Sequence, residues 1–168
     1  MGAATLTIYV LSGSGTGRTE LSAFDAALNS FGVSNYNLIP LSSIIPPNSK
    51  VVEIERFSPN PEEFGNRLYI VKAEQRSSTQ GDWIGAGVGW YQYDDERGLF
   101  VEHETVKHSE VSAHATLENL ITSSIQDLCK FRNIPFYPDK IRMKIEVTDV
   151  REQPACVLVF AVYKSENW

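Results

Sequence analysis

Asn35-Tyr36-Asn37-Leu38-Ile39-Pro40-Leu41-Ser42-Ser43-Ile44-Ile45-Pro46-Pro47 sets two adjacent serines between an apolar run and a pair of prolines. Tyr36 to Leu41 has the composition of a strand. Pro46 and Pro47 fix φ and remove backbone donors, so no helix can absorb the Ser42–Ser43 bond and the segment is expected to stay extended. The covalent adjacency of the serines places Ser43 Oγ next to the Ser42 carbonyl carbon, so here the backbone itself is a candidate substrate. An ordinary peptide resists such an attack. The fold would have to strain the bond and stabilise the oxyanion that forms.

Upstream, Thr5 to Leu11 alternates and is rich in strand formers, and the glycine-rich stretch Ser12 to Gly17 reads as a tight turn. A helix follows, with Thr19 as N-cap, Glu20 in its first turn, Leu21, Phe24, Leu28 and Phe31 as its apolar repeat, and Gly32 as its stop. Strand, glycine loop and helix together suggest a phosphate-binding loop, but Ser12 stands where the first glycine belongs and Arg18 where the lysine belongs. The dinucleotide pattern fails as well, because Arg18 occupies the third glycine position.

Downstream, strands are expected near Val51–Val52, at Arg67–Arg76, Trp83–Tyr93 and Leu99–Glu104, and at Lys140–Val150 and Ala155–Tyr163. Turns at 77–82 and 151–154 separate neighbours. Ser109 to Lys130 reads as a long helix with Val111, Leu117, Leu120, Ile121, Ile125 and Leu128 on its apolar side. The 168 residues contain no repeat and no linker, so the reading is a single α+β domain over 1–168, its mostly antiparallel sheets covered by two main helices.

Bulk composition narrows the partners. With 15 basic against 21 acidic residues, a net charge of −6 and no basic run, nothing predicts binding to nucleic acid or to an anionic membrane, whereas a small cationic substrate suits the charge. Met1 to Gly15 has no basic segment ahead of its apolar run and Leu6 where a myristoylation signal needs Ser or Thr, and no stretch approaches the ~20 apolar residues of a spanning helix. The expected location is the cytoplasm. Cys129 and Cys156 form no metal-ligand spacing and read as separate buried thiols, and the separations of His103, His108 and His114 predict no metal.

NYNLIPLSSIIPP resembles the self-cleavage site of the pyruvoyl-dependent arginine decarboxylases. The likeness extends upstream to GSGTGRTELSAFDAAL, which matches the family's glycine-rich loop and L-x-A-F-D-x-A-L block. It extends downstream to Gly98-Leu99-Phe100-Val101-Glu102-His103-Glu104, which matches its G-L-[aliphatic]-x-E-[aromatic]-E block except that His103 stands at the aromatic position. The resemblance implies a layered αββα sandwich. It also implies a covalent pyruvoyl cofactor made from Ser43, by Oγ attack on the Ser42 carbonyl, β-elimination and hydrolysis to release ammonia, leaving a β chain 1–42 and an α chain 43–168. It implies a lyase that converts L-arginine to agmatine and CO2 through a Schiff base, working as a homotrimer or a dimer of trimers with active sites between subunits, in polyamine synthesis or acid resistance.

Three further residues take roles from the same resemblance. Asn37 matches an active-site asparagine and is a candidate donor to the oxyanion. Asp25 matches the aspartate that binds the substrate guanidinium; its spacing from Leu21 and Leu28 predicts a place on the apolar face of the first helix, where a carboxylate needs a cationic partner. Glu102 is the expected proton donor to the substrate α-carbon, its pKa raised by burial and by Glu104. Two alternatives stay open: the same chemistry on another cationic amino acid, and an unprocessed family member serving as a binding or structural subunit.

Overall fold

Ile8 and Val10 point one way from the first strand and Leu11 the other, and all three are fully buried, so this strand has a packed layer on each face. The structure, a computed structural model, describes residues 5–168; the reading of Met1–Ala4 lies outside them. The elements run β1 (Leu6–Thr16), α1 (Glu20–Ser30), β2 (Asn37–Pro40), β3 (Ile44–Ile45), β4 (Ser49–Glu53), β5 (Arg67–Ser77), β6 (Trp83–Gln92), β7 (Gly98–Lys107), α2 (Glu110–Phe131), β8 (Arg142–Asp149) and β9 (Ala155–Glu166). A five-stranded sheet in the order β2-β5-β9-β1-β4 faces a four-stranded one in the order β3-β7-β6-β8. Pairing is antiparallel except at β1–β4 and β2–β5.

The space between the sheets is filled by Val71, Ala73, Val157 and Val159 from one side and Ile84, Ala86, Val88 and Phe100 from the other. Helix α1 seals the outer face of the larger sheet over Leu158 and Phe160, and α2 seals the smaller one through Ile121, Ile125 and Cys129. The architecture is therefore the αββα sandwich that the family resemblance implied, with the antiparallel sheets and two covering helices that the residue patterns predict. Among the described residues no helix is long and apolar enough to cross a membrane.

The structure corrects the first reading of the glycines. Gly13 and Gly15 lie inside β1, which runs on to Thr16, and neither has positive φ. They are small because α1 sits on them: a Cβ on Gly15 would stand 2.3 Å from the Ala27 nitrogen, and one on Gly13 would stand 2.1 Å from Ser30 Oγ. A second set, Gly85, Gly87 and Gly89 on β6, admits Leu117 and Ile121 of α2 in the same manner. Close approach sets the rotation of both helices. Ala23, Ala27 and Leu28 are the buried residues of α1, while Leu21 is 69% exposed. In α2 the buried row is Ala113, Leu117, Ile121, Ile125 and Cys129, leaving Val111 80% exposed. Simple apolar periodicity predicts Leu21 and Val111 inside, and the close approach of each helix to its glycines overrides it.

Candidate active site

Ser42 and Ser43 lie where the chain leaves one sheet for the other. On the upstream side, β2 is paired with β5, and the Leu41 N–H donates to the Ile70 carbonyl at 2.7 Å. Downstream, Ile44 and Ile45 pair with Leu99 and Gly98 of β7, and the Phe100 N–H donates to the Ser43 carbonyl at 2.9 Å. The Ser42–Ser43 peptide thus spans two anchored segments that belong to opposite layers. Ser43 adopts φ +73°, a left-handed conformation that costs a non-glycine residue on the order of 1–2 kcal/mol.

Glu102 faces this peptide from β7. Inward-facing Phe100 fixes the alternation, so Glu102 and Glu104 point to the same side of the sheet as the inter-sheet core. Ser43 Oγ lies 2.8 Å from both Glu102 carboxylate oxygens and donates its proton to that pair. Burial pushes the Glu102 carboxyl pKa upward; the Ser43 hydrogen bond pulls it partly back, and the Glu104 charge adds a smaller upward push. A half-buried carboxylate with a raised pKa, touching a serine hydroxyl at a strained peptide, is equipped to take that hydroxyl's proton.

Asp25 and Asn37 stand apart from this pair within the chain. Asp25 lies on the exposed side of α1, not on the apolar face its spacing suggested, because the helix packs through Ala26, Ala27 and Ser30 against the β1 glycines. No ion pair among the described residues involves it. Asn37 opens β2 at the end away from Ser42, is exposed, and donates its carboxamide to the Gly65 carbonyl at 2.7 Å.

Two contributors went unread in the sequence. The Phe100 N–H is a backbone group with no signature of its own, although it sits two residues before Glu102 in the matched downstream block. Tyr163 is the other: it ends the inward row Val157, Val159 and Ala161 on β9, and its hydroxyl donates to the Ile44 carbonyl at 2.7 Å. A hydroxylated aromatic closing an otherwise apolar inward row was the available signal.

Residues 7–167 match the sequence model of the family described as pyruvoyl-dependent arginine decarboxylase. The chain belongs to that family. It is 30% identical over 159 residues to the pyruvoyl-dependent arginine decarboxylase of Halobacterium salinarum, covering 95% of each chain. It is 35% identical over 99 residues to the one from Methanothermobacter thermautotrophicus, covering 59% of this chain and 62% of that one. Against the Thermoplasma volcanium protein of the same description it is 32% identical over 119 residues, covering 67% of this chain and 63% of the relative. The family is one of enzymes with a covalently held pyruvoyl group, and the chain is an enzyme of that class. Ser43 fits the residue that would become the group: it carries a carbonyl already bound by an N–H and a hydroxyl already on a carboxylate.

Proposed function

We propose that this chain cleaves itself between Ser42 and Ser43 and then converts L-arginine to agmatine and CO2. The observation that carries the reading is Ser43 Oγ on the Glu102 carboxylate at a left-handed residue spanning two sheets. Glu102 takes the Oγ proton as Oγ bonds to the Ser42 carbonyl carbon; the Ser42–Ser43 C–N bond then breaks and the nitrogen is protonated, leaving an ester. Loss of the Ser43 α-proton expels the Ser42 carboxylate and leaves dehydroalanine at 43. Water then converts that residue to a pyruvoyl group with release of ammonia. The intact serine–carboxylate pair favours this reading over an unprocessed, non-catalytic subunit.

The pyruvoyl group would supply a carbonyl to capture the substrate's α-amine and a sink for the electron pair left when CO2 departs. The Phe100 N–H, already on the residue-43 carbonyl, holds that oxygen and disperses negative charge developing there. Protonated Glu102 delivers a proton to the substrate's α-carbon; a carboxyl whose pKa burial pushes upward holds its proton to higher pH and suits that task. Asp25 pairs with the guanidinium, a charge-assisted and geometrically selective contact.

The proposed working form is a homotrimer or a dimer of trimers in the cytoplasm, in which Asp25 and Asn37 of a neighbouring subunit complete the site around Ser43. Support comes from the exposure of Asp25, from the commitment of the Asn37 carboxamide to Gly65 and not to Ser43, and from exposed Leu21 and Val111 at the surface. Turnover assays on arginine, lysine and ornithine test the substrate: CO2 from arginine is expected to dominate, and equal turnover of lysine would move the reading to a general cationic amino-acid decarboxylase.

A further inference from the structure

We infer that Tyr163 is a positioning residue for self-cleavage, its hydroxyl holding the Ser43–Ile44 backbone in the conformation from which Ser43 Oγ attacks; this rests on the self-cleavage reading above. Tyr163 belongs to β9 in the five-stranded sheet, whereas Ile44 belongs to β3 in the four-stranded one. Its 2.7 Å bond to the Ile44 carbonyl therefore ties the two layers together one residue after the scissile peptide. The ring is itself fixed, edge-on to Phe100 with centroids 6.1 Å apart. Phe100 also supplies the N–H that binds the Ser43 carbonyl. Consecutive carbonyls, Ser43 and Ile44, are thus anchored by two residues that pack on each other.

Strain gives the tie its purpose. Left-handed φ at a serine relaxes to negative values unless the surroundings over-determine it. Strand pairing of β3 covers only Ile44 and Ile45, too little to hold a strained neighbour alone. With the Tyr163 hydroxyl gone, Ser43 can rotate away and its Oγ leaves Glu102. Tyr163 touches neither the scissile bond nor Glu102 through a hydrogen bond, so its effect passes through the backbone. Its phenol pKa is pushed up, by burial and then by the Glu102 charge, so the hydroxyl remains a donor across the working pH range.

The test follows freshly made Tyr163→Phe, Tyr163→Leu and wild-type chains by denaturing mass spectrometry, with melting temperatures measured on the same substitutions in a Ser43→Ala background that cannot process. Tyr163→Phe keeps the ring, and it is expected to slow cleavage about tenfold, the worth of one well-placed neutral hydrogen bond, while melting with its parent. A second readout separates positioning from loosening. The Ser43 hydrogen bond lowers the Glu102 pKa, so releasing Ser43 should shift the acid limb of the cleavage-rate profile to higher pH. Wild-type rates with an unmoved acid limb in Tyr163→Phe would overturn the assignment. So would slowing in Tyr163→Phe that comes with a matching melting loss and an unmoved acid limb, which would put the effect in general loosening of the sheets. A wild-type chain that never cleaves would sink the self-cleavage reading and this one with it.

Discussion

Glu102→Gln isolates the proton acceptor proposed for self-cleavage. The amide is isosteric and can still accept a hydrogen bond from Ser43 Oγ across the 2.8 Å gap, but it cannot take the proton when the oxygen attacks. Loss of a positioned base typically costs a factor of about 100 to 10,000. The lower end applies here, because the Phe100 and Tyr163 contacts and the left-handed Ser43 backbone remain in place, so cleavage should slow about a hundredfold. Glu102→Asp, one methylene shorter, should fall between the two. The assay is a time course of freshly purified chains under denaturing conditions, scoring intact 18.8 kDa protein against fragments. Glu102→Gln cleaving as fast as the wild type would refute the role of the Ser43–Glu102 contact.

The same carboxyl sets two opposed pH dependences. Cleavage needs it ionised and turnover needs it protonated; since burial raises its pKa, cleavage should quicken and turnover slow as pH climbs through a point above the ordinary glutamate value, and parallel profiles would contradict the dual role. Asp25→Asn should raise KM for arginine about tenfold or more by removing a charge-assisted contact, with cleavage unchanged; an unaltered KM would remove Asp25 from the substrate site. Gly89→Ala would put a Cβ 2.2 Å from Ile121 Cγ2, an overpacking expected to cost about 1–3 kcal/mol. At about 2–4 °C per kcal/mol for a chain of this size, melting of the Ser43→Ala form should drop by several degrees, and no drop would mean that α2 does not ride on the β6 glycines.

The sequence disclosed the family, and the residues Ser43 and Glu102 that the structure pairs, more fully than the packing. The Ser42–Ser43 segment and the Gly98–Glu104 block were legible because strand alternation and family likeness agree there, and the structure joins Ser43 to Glu102 directly. An α+β domain with mostly antiparallel sheets under two helices followed from the residue patterns, and the layering came from the family likeness. What misled was the assumption that large apolar residues define a helix's inner face. Gly13, Gly15, Gly85, Gly87 and Gly89 are spaced by two, as strand positions on one face should be, and each marks where a helix backbone or side chain comes close. The β1 pair turns Ala27 inward and leaves Leu21 and Asp25 outside. Tyr163 escaped for a different reason: it lies 119 residues from its carbonyl partner, and no local pattern relates them. The Phe100 N–H is likewise set by β3–β7 register, a property of the folded sheet.

Denaturing mass spectrometry of the purified wild-type protein tests the central claim most directly. Cleavage at the Ser42–Ser43 junction predicts a fragment ending at Ser42 and a larger one comprising 43–168, whose first residue resists N-terminal sequencing and reacts with hydroxylamine-type carbonyl reagents. Ser43→Ala should remain one chain of 18.8 kDa. A wild-type chain that also stays whole and is inert to those reagents would contradict the account.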